Sequence, residues 1–407
     1  MKILLHSPHP KVASGYSTMS RSLIDILQNL GHEVVMQASY GNMGFVDEYN
    51  GVKIYPVEHP QKYGVDRLLF TAHKVKPDLY LSTFDIFVLK EEVITEMQEM
   101  DIKVASWLMI DASPYQSLNY KVLKHIDYPI VCVNWALDQI PKVEELKKPY
   151  FVMHLPTEKI YHHKDKIEAR EAFNLMQGEE MIDENTELTT VVSANIGDET
   201  GRKNFPSIIR GWLGYIRING SKNKKLYLHT EVKGTNSRGV NIREDLAFAG
   251  YNKEEVETII FPNQLKYLQS EHTANDLCNI YNASDLYLNP SDSEGYGLPI
   301  AEAMLCGCPI LVTDWGASKE LATNGLPQKM LKDSLLHSGS KYIGFHAYRG
   351  SVSPIEVTNG LIRQHKASYS NEDRELISFS ANQHYGYQQS ISRMSDFLKT
   401  IQFKKEW

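Results

Sequence analysis

Short apolar runs, too brief to be helices, alternate with helical stretches along most of the chain, and this alternation most restricts what it can fold into. The first run is Ile3-Leu4-Leu5, within residues 2–5, stopped by His6-Ser7-Pro8. Beyond it Met19, Leu23, Ile26, Leu27 and Leu30 recur at helical spacing, which predicts an amphipathic helix over 16–30. Ser14 is a suitable N-cap, and Gly31 stands where a helix end favours glycine. Residues 33–37, 79–83, 104–109 and 130–133 are further strand-like runs. Strands linked by helical crossovers predict a parallel sheet covered on both faces.

The pattern changes over residues 155–187, where Pro156, His162-His163-Lys164 and an acidic stretch from Gly178 to Glu187 flank a short helix at 167–175. This reads as an interdomain connection. Strands at 189–194, 225–229, 258–261, 286–288 and 309–313 then alternate with helices at 206–216, 241–249, 274–282 and 299–306. A chain of 407 residues exceeds one ordinary core, so two α/β domains are expected. The expected organisation is a doubly wound domain over 1–165, a second over 166–370, and a helical tail over 371–407 that packs back on the first. Phe397 and Trp407 are candidate anchors for that tail. Two such domains are expected to face a cleft, with ligands outside the carboxyl ends of the strands.

The formal net charge of -7 disfavours a general nucleic-acid binder. Cys132, Cys278, Cys306 and Cys308 include no C-x-x-C pair, so they read as reduced thiols rather than a disulfide or zinc framework. No segment has the makeup of a signal peptide or the ~20 apolar residues of a spanning helix. A cytoplasmic protein is expected, without stable membrane insertion but open to peripheral contact. Lys147-Lys148 and His162-His163-Lys164 read as solvated surface charge.

The densest chemistry lies in the run from Asn289 to Pro309, N-P-S-D-S-E-G-Y-G-L-P-I-A-E-A-M-L-C-G-C-P. A strand ends in a loop of small residues with Gly295 and Gly297, and Pro299 opens a helix where its missing N–H costs nothing. Inward-turned amides and a helix N-terminus suit a phosphate or the polar groups of a sugar. Glu294 and Glu302 frame the loop, and carboxylates accept hydrogen bonds from paired hydroxyls such as a ribose diol or a hexose.

The stretch E-G-Y-G-L-P-I-A-E-A-M-L-C-G-C-P-I resembles the signature of family-four retaining glycosyltransferases, which have the B-type fold of two Rossmann-like domains. The likeness continues through Thr313-Asp314-Trp315-Gly316 to Glu320-Leu321, and upstream through Ile280 to Leu286. It implies that Glu302 holds the ribose hydroxyls of a nucleotide-sugar donor and that Glu294 contacts the transferred sugar. The backbone from Gly295 through Tyr296 and Gly297 to Leu298 would lie against the sugar and the distal phosphate.

Arg202-Lys203, before a helix at Pro206, match the family's basic pair on the diphosphate. The family often has an arginine directly after the preceding strand, where this chain has Asn195-Ile196, and Arg202 stands in its place. Cations at that position would neutralise the leaving nucleoside diphosphate, and no D-x-D motif after a strand suggests a metal. Neither a metal nor another cofactor is therefore expected. Thr230 and Glu231 after one strand, and Pro262 after the next, would line the donor site. In the first domain Gly15 would let the backbone approach the donor phosphate or the acceptor. Asp111, in Ile110-Asp111-Ala112-Ser113-Pro114, would orient or deprotonate an acceptor hydroxyl, or serve only as a turn residue.

The resemblance thus implies transfer, with retention, from a UDP- or GDP-sugar to an unidentified hydroxyl on a saccharide, lipid, protein or nucleic acid. Epimerisation or hydrolysis of a nucleotide sugar, and non-catalytic binding of a sugar or nucleotide, stay open as alternatives. His6 and His154 have no metal-ligand spacing and read as ordinary polar residues.

Overall fold

The structure is a computed structural model and describes residues 1–12, 14–195, 201–234, 239–344 and 346–402. Ile196 and Trp407 lie outside the described residues. The chain forms two compact units, one from Met1–Glu158 and the stretch beginning at Tyr387, the other chiefly from Lys159–Gly344 and Tyr348–Gly386.

The first unit's strands are β1 (Lys2–Ser7), β2 (Glu33–Ala38), β3 (Asp47–Tyr49), β4 (Val52–Tyr55), β5 (Leu79–Ser82), β6 (Lys103–Leu108), β7 (Tyr128–Val131) and β8 (Phe151–Val152). Among the described residues they make one sheet in the order β3-β4-β2-β1-β5-β6-β7-β8, and only the β3–β4 pair is antiparallel. Residues Ile3 through Ser7 of β1 are all buried, which a central parallel strand covered on both faces requires. The helix Gly15–Asn29 follows β1, capped by Ser14, whose hydroxyl accepts from the Ser17 N–H. Gly31 has φ 78° past its end, as the sequence implied.

In the second unit the strands are β9 (Glu187–Val192), β10 (Lys224–His229), β11 (Ile259–Ile260), β12 (Leu286–Asn289), β13 (Ile310–Thr313) and β14 (Leu335–Leu336). Their order is β11-β10-β9-β12-β13-β14, parallel throughout. The order reverses direction between β9 and β12, which is the switch point where doubly wound sheets bind ligands. A core of Trp212, Tyr215, Leu226, Leu228, Leu288 and Leu311 packs the helix Phe205–Asn219 on one face. Two further strands, β15 (Gly339–Gly344) and β16 (Ala347–Ser351), form a small separate sheet in the region the sequence left unassigned. No helix among the described residues is long and apolar enough to cross a membrane.

Three expectations are corrected. Residues 159–187 are not a connection but part of the second unit. The helix Lys166–Gln177 buries Arg170, whose guanidinium donates to the carbonyls of Ala283, Asp183 and Thr186 and pairs with Asp285 at 2.7 Å. The return to the first unit begins at Tyr387, not at about 371. The helix Asn371–Tyr385 belongs to the second unit because Ile377, Ala381 and Tyr385 make a buried stripe. Its Ser378 hydroxyl donates to the Leu305 carbonyl at 2.6 Å and its Tyr385 hydroxyl to Leu321 at 2.9 Å. The next helix, Tyr387–Thr400, carries Phe397, which is buried edge-on against Phe151 (5.1 Å) and Tyr128 (6.3 Å). Lys148, finally, is half-buried rather than a freely solvated surface charge. Its ammonium donates to the carbonyls of Leu123, Lys124 and Ile126, closing the end of the helix Tyr120–Leu123.

Arg374 is the polar tie of the helix Asn371–Tyr385: it is 3% exposed and donates to the carbonyls of Ser284 (2.7 Å) and Asn282 (2.9 Å). Arg374→Ala orphans both carbonyls and is expected to cost at least about 2 kcal/mol. Urea denaturation of the purified variant measures this, and a midpoint equal to that of the native chain would contradict the packing described.

Candidate functional site

The switch point between β9 and β12 is where the second unit collects its chemistry. Asn289 ends β12, and its side-chain oxygen accepts from the Ser291 N–H at 3.1 Å. The Thr313 hydroxyl, at the end of β13, donates to the Ser291 carbonyl at 2.6 Å. Ser291, Asp292, Ser293 and Glu294 are consequently all buried, although they form a loop. Gly297 then caps the helix Leu298–Leu305 with φ 98°, and a Cβ there would meet the Ile300 side chain at 2.9 Å. Only glycine turns the chain at this point without strain. Pro299 stands in the first turn, leaving the helix N-terminus with positive potential.

Glu294 is 7% exposed and lies between two cations. Lys203 Nζ reaches Glu294 Oε1 at 2.6 Å, and Arg202 Nη1 reaches Oε2 at 3.0 Å and the Ser293 carbonyl at 2.8 Å. Burial by itself would raise the Glu294 carboxyl, but the charges of Lys203 and Arg202 and their hydrogen bonding overcome it and hold the group at about 2. Among the described residues two cations thus face this one carboxylate. The Asp292 N–H donates to the Arg202 carbonyl at 2.8 Å, so the basic pair and the acidic loop are also joined through backbone. Asn204, with φ 56°, donates to the carbonyls of Pro290 (3.2 Å) and Val352 (2.9 Å).

Glu302, in the same helix, is 4% exposed rather than solvated. Its Oε2 accepts from the Tyr281 hydroxyl at 2.9 Å. Burial, then the Glu302 charge, push the Tyr281 phenol well above its ordinary value, so it stays a donor. Thr230 follows β10 and is fully buried, and its carbonyl accepts from the Gln264 amide at 3.2 Å. The same amide donates to the Pro262 carbonyl at 3.1 Å, and Gln264 Oε1 accepts from the Val232 N–H. Thr230 and Pro262 are thereby tied together. The hydroxyls of Ser193, Thr230 and Ser293, at the ends of the adjacent strands β9, β10 and β12, are buried and have no hydrogen-bond partner among the described residues. Buried hydroxyls are seldom left so, and a ligand's oxygens would satisfy them.

The second unit thus brings Arg202, Lys203, Glu294, Gly295, Tyr296, Gly297, Leu298 and Glu302 into one loop-and-helix system, with Thr230 and Pro262 at neighbouring strand ends. Gly15 and Asp111 belong to the first unit, Gly15 as the first residue of the helix after β1 and Asp111 in the loop after β6. Sequence reasoning gave no role to Gln264, Tyr281, Asp292 or Lys341, whose ammonium lies 3.5 Å from Asp292 Oδ2. Among the described residues no group of three metal-ligating side chains comes together.

Residues 224–338 match the family model described as "Glycosyl transferases group 1". This segment is similar to the group 1 glycosyl transferases. The loop from Asn289 to Gly297 and the helix bearing Glu302 both fall inside the matched segment. Over 80 residues the chain is 39% identical to the lipopolysaccharide core biosynthesis mannosyltransferase LpsB of Rhizobium meliloti, a match covering 20% of this chain and 22% of that protein. A sucrose-phosphate synthase from Thermosynechococcus elongatus superposes with a TM-score of 0.71 at 14% identity, covering 98% of both chains. A glycosyltransferase from Rickettsia africae gives 0.65 at 10% identity, covering 98% of this chain and 99% of that one. The fold is that of the B-type glycosyltransferases, and the segment matched by the family model lies in the second unit.

Because the folded Glu294 titrates near 2 and a free glutamate near 4.5, its contribution to stability is complete above pH ~4.5 and disappears as pH falls from there toward 2. The shift corresponds to a contribution on the order of 3 kcal/mol. Denaturation of native chain and Glu294→Gln at pH 7, 4 and 3 should show the native advantage shrinking with acid. A difference independent of pH over this range would mean that Glu294 is not held ionised by Arg202 and Lys203.

Proposed function

We propose that the chain is a retaining glycosyltransferase that moves a sugar from a UDP- or GDP-sugar to an acceptor hydroxyl. The observation that carries this reading is the buried ion triad of Arg202, Glu294 and Lys203 at the switch point, beside a helix N-terminus. In a transfer, the bond from the anomeric carbon to the diphosphate oxygen breaks and a bond from that carbon to the acceptor oxygen forms on the same face. The acceptor proton passes to the departing phosphate oxygen. Lys203, Arg202 and the helix N-terminus stabilise the charge that grows on the diphosphate, a term usually worth several kcal/mol. A metal is not required for this step.

Glu294 holds the two cations apart and in place, and accepts hydrogen bonds from the transferred sugar. Glu302, oriented by Tyr281, takes the ribose hydroxyls. The backbone of Gly295, Tyr296, Gly297 and Leu298 supplies donors to the sugar and the distal phosphate, and Thr230 and Pro262 flank the nucleotide. The acceptor is held by the first unit, where Gly15 and Asp111 lie at strand ends.

A thermal-shift series with UDP, GDP, ADP and their glucose and mannose conjugates tests the donor site. One nucleotide should stabilise the native chain by several degrees, and Glu302→Ala should abolish that shift. Failure of every nucleotide to stabilise the native chain counts against the reading. With the donor identified, Lys203→Ala is expected to lower kcat by about 10²–10³-fold. NMR of the product should show the donor's anomeric configuration, and an inverted product would eliminate the mechanism.

A further inference from the structure

The segment that matches the family model ends at residue 338, and the two-stranded ribbon of β15 and β16 begins at the next residue. A two-stranded ribbon is marginal by itself and persists only where other parts of the fold hold it. Tyr342 and Tyr348 pack edge to face across it at 5.4 Å, both exposed, which ties the two strands to each other. The contacts that anchor the ribbon fall on the loop of Glu294 and on the turn that carries Arg202 and Lys203.

Two contacts reach the loop. Lys341 places its ammonium 3.5 Å from Oδ2 of Asp292, whose side chain is 6% exposed. At Gly350 a Cβ would stand 2.9 Å from the Asp292 carbonyl oxygen and 2.9 Å from Trp315 Cβ, so the close approach of the ribbon's backbone depends on glycine. Asp292 in turn donates its N–H to the Arg202 carbonyl at 2.8 Å, and Arg202 Nη1 donates to the Ser293 carbonyl and to Glu294. A further contact reaches the other arm. Val352, next after β16, accepts at its carbonyl from the Asn204 amide at 2.9 Å and from the Ser207 hydroxyl at 3.0 Å. Asn204 follows Lys203 directly and caps the helix Phe205–Asn219 in the left-handed conformation, which asparagine adopts more readily than most residues. Its amide also donates to the Pro290 carbonyl, so this one side chain spans from the start of the loop to the end of the ribbon. Where the ribbon is entered, the Ser338 hydroxyl donates to the Asp314 carbonyl at 3.1 Å.

We propose that the ribbon is a positioning clamp in which Lys341, Gly350 and Val352 fix Arg202 and Lys203 at the spacing that receives a diphosphate. The inference rests on the transfer reaction proposed above. Arg202 is held through Asp292 and Lys203 through the turn at Asn204, so one element sets both cations against the same carboxylate. Lysine and arginine side chains carry much rotamer freedom, and fixing them in advance removes that cost from the binding step and from the growth of charge on the leaving group. Lys341, Gly350 and Val352 act through Asp292 and Asn204, and are positioning residues rather than catalytic ones.

Titration calorimetry of the full chain with UDP, GDP and ADP reads the effect of the clamp. The native chain should bind one of these, Lys341→Met and Gly350→Ala should each weaken that binding at least fivefold, and Lys341→Arg should restore it to within twofold. Gly350→Ala changes no charge, so its loss separates positioning from the electrostatic influence of Lys341. A second measurement needs no ligand. The gap in urea midpoint at pH 7 between chains with and without Glu294→Gln should narrow by at least a quarter when Lys341→Met or Gly350→Ala is also present, since misplaced cations favour the carboxylate less. A merely structural ribbon would lower both midpoints equally and leave the gap as it was. An unchanged gap, or nucleotide affinity unchanged in both Lys341→Met and Gly350→Ala, would overturn the proposal while binding by the native chain upholds the donor reading. A native chain that binds none of the three nucleotides would overturn the donor reading and this inference with it, so the two failures are distinguishable.

Discussion

A carboxylate with almost no exposure stays charged only if cations reach it, and Glu294 has two within hydrogen-bond distance. That requirement organises much of the second unit. Lys203 and Arg202 come from the chain after β9, and Glu294 from the chain after β12, so the triad forms only when those two strands are neighbours. The backbone bond from Asp292 to Arg202 and the reach of Asn204 to Pro290 and Val352 then close the structure around it. Replacing Glu294 takes from both cations the carboxylate they share, which is more costly than the intact group is stabilising. In the transfer proposed above, a diphosphate arriving beside the triad would redistribute the two cations between itself and Glu294.

How much of this the sequence shows depends on distance along the chain. Glu294, Gly297, Pro299 and Glu302 fall within nine consecutive residues, so their relation is visible as a local pattern. The parallel sheets were also legible, since runs such as Ile3-Leu4-Leu5 are buried on both faces. Tyr281 is 21 residues from the Glu302 it orients, and no spacing rule joins them. Gln264 works by bonding backbone groups of Thr230, Pro262 and Val232, a role that leaves no mark in residue types. Lys148 misled for a related reason: the carbonyls it caps belong to a helix end more than twenty residues earlier.

The tail shows a different failure. Ile377, Ala381 and Tyr385 recur every four residues, a readable buried stripe, yet polar composition hid it and the helix was expected in the wrong unit. Likewise the segment 155–187 looked like a connection because its acids and basic cluster masked Arg170. A buried arginine with carbonyl partners looks in sequence like any surface cation. The packing of Tyr16, Tyr40 and Tyr63 around Phe84 in the first unit was invisible because these residues are spread over four separate loops and helix starts.

The first unit is discontinuous, and this bears on how the protein is made. Residues 159–386 supply nearly all of the second unit as one uninterrupted stretch, so during synthesis it has what it needs to fold once they have left the ribosome. The first unit, though begun earlier, waits longer: Tyr128 and Phe151 lack their cover until the helix Tyr387–Thr400 delivers Phe397. The order of emergence and the order of completion are therefore reversed. A nascent chain arrested shortly before Tyr387 would carry a finished second unit and a first unit with exposed aromatic surface, the form on which a chaperone would act.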